Sequence, residues 1–253
     1  MTTLKNIAAV IITYNEENNI VDCIKSVINI VDEVIVVDAN SEDKTATLAE
    51  ESGAKVMRKD WTSFGVQKNH GAKYANADWI LSIDADERVD NELSQTLMAL
   101  KLDSNKVYST NIKTNYLGRW IRYCGWYPSY KKRLYHKEHS HWNDDLVHES
   151  LISSKKMLVE KLSGNLLHYS YRTIEHHHQK IERYARLTAE KWKLKNKTPR
   201  LLKKIFGPSF RFVKTYIFRL GFLDGREGFL ISKMSFLLVK RQLYYFKQLE
   251  ERE

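Results

Sequence analysis

The stretch WILSIDADE, residues 79–87, constrains the fold most, because a short apolar run there ends abruptly in three carboxylates. An apolar run of this length bounded by polar residues is typical of a buried strand in a parallel sheet. Open α/β sheets bind their ligands at the carboxyl ends of the strands, and that end carries Asp84 and Asp86 here. Side chains two residues apart on an extended strand point the same way, so we expect these two carboxylates to converge.

Two converging carboxylates need a cation between them. Like charges so close raise each other's pKa, and hard oxygen ligands suit Mg²⁺ or Mn²⁺. The pattern therefore predicts a metal-diphosphate site with Asp84 and Asp86 as ligands. A solvated acidic turn is the alternative, since Asp90, Asn91 and Glu92 would suit the start of the next helix.

Strands and helices alternate before this stretch. Ile20 to Ile28 have the apolar spacing of a helix, Ser41 suits the N-cap of a second helix, and Gly53 suits its end. Continuous apolar runs predict strands over residues 7–12 and 34–37, and a short third strand is expected over residues 55–57. This alternation predicts an α/β fold with a doubly wound, mainly parallel sheet flanked by helices.

No glycine-rich phosphate fingerprint follows either early strand, so other groups must hold phosphate. A helix predicted over residues 64–75 carries Lys68 between Gln67 and Asn69, and these side chains could meet a nucleotide. A solvated lysine is the alternative. The spacing of Leu93, Leu97, Leu100 and Leu102 predicts a further helix after the acidic stretch.

From residue 107 to 168 the sequence alternates aromatic, basic and small residues, which predicts short irregular strands and loops. Within it, residues 142–149 read WNDDLVHE, with three carboxylates and a histidine close together. A partly buried carboxylate there could act as general base on a hydroxyl, with His148 orienting it or contacting phosphate. A plain polar loop is the alternative.

Taken together, these stretches resemble the family 2 glycosyltransferases of GT-A fold in order and spacing. The matching stretches are ITYNEE at 12–17, VDANSED at 37–43, DADE at 84–87 and VHE at 147–149. GWYP at 125–128, Arg133-Leu134 and LDGREGF at 223–229 look like the branch that adds glucose to the inner core of bacterial lipopolysaccharide. Ser129 stands where that branch leads us to expect an Asp.

The resemblance implies a role for each matching residue. The nucleoside pocket would be lined by Thr13, Asn15, Glu16 and Asp38, with Asp38 facing uracil. Asp84 would lie near the ribose and the metal, and Asp86 would hold Mg²⁺ or Mn²⁺. Glu149 would be the base, with Asp144 and Asp145 in reserve. The remaining candidates for nucleotide or substrate binding are Lys68, Arg133 and His148.

The implied reaction moves a sugar, expected to be glucose from UDP-glucose, onto a heptose of the inner core. A divalent ion stabilises the charge that develops on UDP, and a single displacement inverts the anomeric centre. The catalytic domain would span residues 1–170, with a nucleotide-sugar half to about residue 105 and an acceptor-side half from 106. The open alternatives are a non-catalytic protein that binds nucleic acid or anionic lipid, and a metal-dependent nucleotidyltransferase.

Positive charge concentrates in the last part of the chain. Residues 1–154 hold 18 Lys and Arg against 22 Asp and Glu, whereas residues 155–253 hold 23 against nine. A basic half indicates a polyanionic partner, which could be nucleic acid, an anionic membrane surface or a phosphorylated glycolipid, and a merely soluble basic surface is the alternative. Nucleic acid is not expected, because acidic clusters repel its phosphates unless a metal intervenes.

We expect residues 171–253 to form a basic, amphipathic helical extension. Residues 201–220 alternate apolar and cationic side chains, which favours a position in the membrane interface at the inner face of the cytoplasmic membrane. Ordinary packing against the catalytic domain is the alternative. Three adjacent histidines, 176–178, cannot all point one way on a helix, so we expect polar or phosphate-facing groups rather than a metal site.

The two cysteines, Cys23 and Cys124, lack metal-ligand spacing, and we interpret both as structural thiols of a cytosolic protein. No window of eighteen consecutive apolar residues occurs, so a membrane-spanning helix is not expected.

Overall fold

A computed structural model describes residues 6–145 and 149–251 of the chain. The strands are β1 Ile7–Thr13, β2 Glu33–Asp38, β3 Lys55–Arg58, β4 Trp79–Asp84, β5 Glu87–Val89, β6 Lys106–Tyr116, β7 Arg119–Trp120, β8 Tyr130–His136, β9 Ser140–Trp142, β10 Leu151–Ser153 and β11 Leu158–Tyr171. The helices are α1 Ile20–Val27, α2 Thr45–Glu51, α3 Phe64–Tyr74, α4 Asn91–Ala99, α5 Ile174–Leu194, α6 Leu201–Val213 and α7 Gly225–Glu250. A π-helical turn, Lys214–Phe218, and a 3₁₀ turn, Gly221–Asp224, connect α6 to α7.

One mixed sheet organises the fold, with the strand order β3-β2-β1-β4-β8-β6-β11-β5 and β7 beside β6. The pairs β3-β2, β2-β1 and β1-β4 are parallel, and β8 joins β4 in the antiparallel sense. Strands β9 and β10 form a separate antiparallel pair. The predicted fold class, an α/β sheet flanked by helices, is confirmed.

Strand β1 lies at the centre of the core because both of its faces are covered. Ile7, Ala9 and Ile11 belong to the same apolar cluster as α1 and α4, whereas Ala8 and Val10 belong to a second cluster with α3. A strand buried on both faces needs a continuous apolar run, which is what residues 7–12 supply. Helices therefore flank both faces of the parallel half of the sheet.

Several predicted boundaries need correction. Helix α2 begins at Thr45, not after Ser41, because the Ser41 hydroxyl donates to Asp38 instead of capping a helix. Helix α4 ends at Ala99, so Leu100 and Leu102 lie beyond it. The suggestion that Asp90 starts this helix is confirmed, since its carboxylate accepts a hydrogen bond from the Leu93 N–H at 2.8 Å.

The expectation of short, irregular strands between residues 107 and 168 is wrong for β6 and β11, which run for 11 and 14 residues. Buried polar side chains in β6 mask the apolar alternation of a strand. Asn111, for example, donates to the Asn165 side chain at 2.9 Å, a partner supplied by β11. The polar groups are satisfied by tertiary contacts that the local sequence does not reveal.

The chain divides into two compact units, Met1–Ile112 with Ser129–His168, and Lys113–Pro128 with Tyr169–Glu253. The second unit contains α5, α6 and α7 together with the segment 113–128, and the division into a catalytic domain over 1–170 and an extension over 171–253 stays a prediction. Its core includes Tyr116, Ile121, Cys124 and Ile231. None of the helices in the described ranges has the length and apolar character needed to cross a bilayer.

The prediction that the three histidines 176–178 are polar or phosphate-facing is wrong for His177, which lies in the first turn of α5. Its Nδ1 lies 2.9 Å from the Tyr116 hydroxyl inside the second unit, so it is a core residue and not a phosphate-facing group. Burial, together with the nearby charges of His178, Lys180 and His176, lowers the pKa of His177 to about 4. Both cysteines are free and buried, in agreement with structural thiols.

Candidate active site

The carboxyl ends of β1, β2 and β4 place the predicted site residues side by side. Register pairs Thr13 of β1 with Asp38 of β2, and Ile12 of β1 with Asp84 of β4. Parallel strands expose their carboxyl ends at the same rim, where open α/β sheets bind ligands. Asp38 and Asp84 therefore lie at one rim of the first unit.

Two loops at this rim are tied together by side-chain to backbone hydrogen bonds. The Asn15 N–H donates to Ser41 Oγ at 2.9 Å, and Asn15 Oδ1 accepts from the Glu42 N–H at 2.9 Å. The Glu16 N–H donates to Thr45 Oγ1 at 2.8 Å. Asn15 adopts a left-handed backbone, φ 54°, which asparagine tolerates better than most residues. The first loop is thus held in one conformation by the second.

Asp38 is fully buried, and its carboxylate accepts hydrogen bonds from the Ser41 N–H and hydroxyl. It therefore organises the loop after β2. Thr13 is also buried, and its hydroxyl has no hydrogen-bond partner among the described residues. Contacts of Thr13, Asn15, Glu16 and Asp38 with a nucleoside stay predictions.

Lys68 connects two of the predicted carboxylates. Its side chain, on α3, is fully buried, and Nζ lies 3.2 Å from Asp84 Oδ1 and 3.1 Å from Glu149 Oε1. The same amine sits 4.6 Å from the centre of the Trp142 ring. The structure therefore brings the proposed base, Glu149, to the acidic rim through a buried lysine, and contact of Lys68 with a nucleotide stays a prediction.

The position of Lys68 follows from the packing of its helix. The Asn69 side chain binds the backbone of Trp142 at the end of β9. Its Nδ2 donates to the Trp142 carbonyl at 2.7 Å, and its Oδ1 accepts from the Trp142 N–H at 2.9 Å. Gln67 donates to the carbonyls of Lys59 and Asp60. The Gln67 amide nitrogen and both polar atoms of the Asn69 amide thus bind backbone groups, and contact of these residues with a nucleotide stays a prediction.

Arg133, on β8, is the second buried cation. Its guanidinium contacts Asp84 Oδ2 at 3.1 Å and Glu87 Oε1 at 2.5 Å. Burial by itself would raise the pKa of Asp84, but Lys68 and Arg133 hold it well below its usual range. Burial and the charge of Asp84 raise the pKa of Glu87 despite the opposing effect of Arg133.

Asp86 faces a residue that the sequence did not single out, His168 of β11. The chain turns at Ala85 and Asp86, so the prediction that Asp84 and Asp86 follow each other on an extended strand is wrong. Asp86 Oδ2 lies 3.2 Å from His168 Nε2. Although burial opposes protonation, Asp86 and then Glu87 and Asp84 raise the pKa of His168 to about 9.

The predicted residues of the segment 142–149 differ in their exposure. Asp144 and Asp145 are exposed, whereas Glu149 is partly buried against Lys68. His148 lies outside the described residues. His168 was missed because its neighbour across the sheet, Glu87, is distant in sequence, and only the antiparallel pairing of β11 with β5 brings them together.

The acidic rim offers ligands for a metal without forming a complete protein cage. Within residues 6–145 and 149–251, no group of three or more His, Cys, Asp and Glu is arranged to hold an ion. Mg²⁺ in nucleotide enzymes is usually held by one or two protein ligands, the substrate phosphates and water. The Asp86 carboxylate and the His168 imidazole, which already converge, fit such a partial site. Asp84, whose carboxylate contacts Lys68 and Arg133, stays a predicted ligand.

Comparison with known proteins decides the family. The family model described as "Glycosyl transferase family 2" matches residues 8–163, which include the whole acidic rim up to Glu149. The chain belongs to glycosyl transferase family 2. Sugar transfer, rather than nucleotidyl transfer or non-catalytic binding, is therefore the activity class of this protein.

Sequence similarity between this family 2 glycosyltransferase and its relatives covers most of the chain. An uncharacterized glycosyltransferase of Rickettsia bellii is 33% identical over 239 residues, 90% of this chain and 81% of the relative. The lipopolysaccharide core biosynthesis glycosyltransferase LpsC of Rhizobium meliloti is 29% identical over 237 residues, 88% of this chain and 85% of LpsC.

Among solved structures, mannosyl-3-phosphoglycerate synthase of Rubrobacter xylanophilus is 16% identical over 77% of this chain and 76% of that chain, with a TM-score of 0.45. A likeness of this size assigns no ligand or residue role to this family 2 glycosyltransferase.

Proposed function

We propose that this glycosyltransferase moves glucose from UDP-glucose onto a heptose of the lipopolysaccharide inner core, with inversion at the anomeric carbon. The observation that carries the proposal is the contact of buried Lys68 with both Asp84 and Glu149, which supports one site for the proposed base and the predicted nucleotide-binding residues. LpsC, which is named for core biosynthesis, supports the acceptor class. An acceptor anchored in lipid supports a cytoplasmic location at the inner face of the membrane.

Each residue has a separate task in the proposed reaction. Thr13, Asn15, Glu16 and Asp38 line the nucleoside pocket on the two tied loops. Glu149 accepts the proton of the acceptor hydroxyl during attack, and Lys68 and Arg133 hold the carboxylates in place. A single displacement needs one base and no enzyme nucleophile.

Asp86 and His168 are the residues that would hold Mg²⁺ or Mn²⁺. A bound divalent ion neutralises the charge that develops on the diphosphate of the leaving group. His168 must lose its proton to act as a ligand, and its raised pKa reflects the carboxylates around it.

Turnover of UDP-sugars tests the proposal. UDP release and product mass are measured with Mg²⁺ or Mn²⁺ and truncated lipopolysaccharide acceptors. We expect transfer from UDP-glucose, abolished by EDTA and reduced at least 100-fold by Asp86→Asn. Asp22→Asn, at an exposed acidic residue on α1, is the control and should transfer normally. Full transfer by Asp86→Asn would overturn the metal assignment.

The base assignment has its own test. Glu149→Gln keeps the shape of the side chain but cannot take a proton, so the rate of transfer should fall at least 100-fold while UDP binding persists. Asp144→Asn and Asp145→Asn are matched controls at exposed carboxylates of the same segment. A larger loss in either control than in Glu149→Gln would move the base to that residue.

A further inference from the structure

Helix α6 and its connection to α7 expose an unusual amount of apolar surface. Eleven of the 23 large apolar side chains exposed among the described residues lie between Leu202 and Phe229. We call the ten of these side chains from Leu202 to Leu223 the apolar ridge. On α6 they recur every three or four residues, at Leu202, Ile205, Phe206, Phe210 and Val213, which places them on one side of the helix. A protein surface seldom concentrates exposed apolar side chains in this way unless a partner covers them.

The opposite side of the same segment already packs within its unit. The ring centres of Phe212 and Tyr216 each lie 5.8 Å from that of Phe229 on α7. Thr215, which precedes Tyr216 in the sequence, is buried. These contacts fix the segment on α7. Phe206 and Phe210 nevertheless stay 59% and 60% exposed, so the ridge is a second, uncovered side.

The charge of this segment indicates the chemistry of a partner. Residues 200–219 contain six Lys and Arg and no Asp or Glu. Lys204 and Arg219 are exposed, and Arg211 and Lys214 are partly exposed. An apolar stripe bordered by cations suits the interface of an anionic bilayer, because the apolar groups enter the acyl boundary while the cations meet headgroup phosphates.

We propose that the apolar ridge lies in the headgroup region of an anionic lipid bilayer, with α6 parallel to the membrane plane and its cations on lipid phosphates. This inference deepens the proposed function, since a lipid-anchored acceptor is met at that surface. A bilayer, rather than a second copy of the chain, is favoured because two copies would bring the same cations together.

Flotation with vesicles tests the inference on the full chain. We expect binding to vesicles of equal parts phosphatidylglycerol and phosphatidylcholine, and at least tenfold weaker binding to phosphatidylcholine alone or in high salt. The double variant Phe206→Glu/Phe210→Glu should reduce binding at least tenfold. The matched control is Leu158→Glu/Val159→Glu, whose residues are exposed on β11 of the other unit, and it should bind normally.

A labelling experiment keeps the inference testable if the double variant is unstable. Both native cysteines are buried, so a polarity-sensitive dye on Phe210→Cys reports that position. We expect a blue shift of its emission with anionic vesicles and none for the same dye on Leu158→Cys. Equal binding by the double variant and its control, or no shift at position 210, would overturn the inference.

Self-association and sugar transfer give two further readouts. A dimer that Phe206→Glu/Phe210→Glu dissociates, seen by sedimentation without vesicles, would assign the ridge to a second copy and overturn the bilayer. Turnover with a soluble, delipidated acceptor should be unchanged in the double variant. Vesicle binding without any sugar transfer would therefore reject the proposed function and leave the docking surface standing.

Discussion

At the scale of single residues, the site depends on how a few buried charges are paired. Lys68 and Arg133 compensate Asp84 between them, while Arg133 also meets Glu87 and Lys68 also meets Glu149. A buried charge that loses its partner is costly, because the remaining group is neither hydrated nor paired. The two cations therefore support both the local fold and the position of the proposed base.

Lys68→Met tests this pairing, because it keeps most of the apolar stem and removes the charge. We expect the free energy of unfolding at pH 7 to fall by about 2 kcal/mol, less than for a completely buried pair, since Asp84 keeps Arg133 and is partly exposed. Urea denaturation measures the change. Lys73→Met, at an exposed lysine of the same helix, should change stability by less than about 0.5 kcal/mol. Equal effects would show that the buried pairs contribute little.

At the scale of secondary-structure elements, close packing of α3 on the sheet positions Lys68. A Cβ added at Gly71 would lie 2.4 Å from Val10 Cγ1 and 2.9 Å from Val37 Cγ2. Val10 is on β1 and Val37 is on β2, and both are fully buried. The glycine therefore lets the helix approach β1 and β2, two of the strands that end at the acidic rim.

Gly71→Ala separates packing from helix propensity. Alanine in a helix would by itself stabilise it by about 1 kcal/mol, whereas overpacking a close contact costs about 1–3 kcal/mol. We expect a lower melting temperature and weaker UDP binding, measured by calorimetry. A variant more stable than the parent would mean that α3 shifts without cost and that Gly71 does not set its distance from the sheet.

The start of α5 predicts a pH dependence. The pKa of His177 is lowered to about 4 in the folded protein, chiefly by burial and then by His178, Lys180 and His176. Because the unfolded chain takes up a proton near pH 6.5 and the folded chain does not, stability is lost as the pH falls from about 6.5 to about 4. The loss reaches about 3 kcal/mol for this group.

His177→Gln should flatten this part of the stability curve, since glutamine does not titrate. Urea denaturation at several pH values between 4 and 7 measures the slope in the parent and the variant. His141→Gln, at an exposed histidine of β9, provides the control, and its slope should stay close to that of the parent. An unchanged slope in His177→Gln would assign the acid sensitivity to other groups.

At the scale of the whole molecule, ligand binding and stability are linked. A ligand that binds only the folded protein stabilises it by about 2.7 kcal/mol at 100 times its dissociation constant. We expect UDP with Mn²⁺ to raise the melting temperature by about 5 °C or more, and UDP with EDTA to raise it much less. Differential scanning fluorimetry measures both.

Asp86→Asn should lose most of the shift that UDP and Mn²⁺ produce, because the ion would keep only one of its two proposed protein ligands. ADP with Mn²⁺ is the control for base recognition and should give a smaller shift than UDP. A full shift for Asp86→Asn would place the ion elsewhere, even if transfer were impaired.

The sequence by itself determined the order of the elements and the rim of the sheet. The continuous apolar runs of β1, β2 and β4 specify strands covered on both faces, and the polar residues after each run mark the ligand-binding edge. Asp38 and Asp84 were found in this way, because parallel strands bring their carboxyl ends together whatever the details of packing.

Tertiary structure alone decided which groups pair within that rim. His168 reaches Asp86 only through the pairing of β11 with β5, and Glu149 reaches Asp84 only through a lysine on α3. Such contacts join residues far apart in the chain and leave no local periodicity to detect. The same reason hides the buried polar face of β6 and the burial of His177, since a polar side chain becomes a core residue when a distant partner satisfies it.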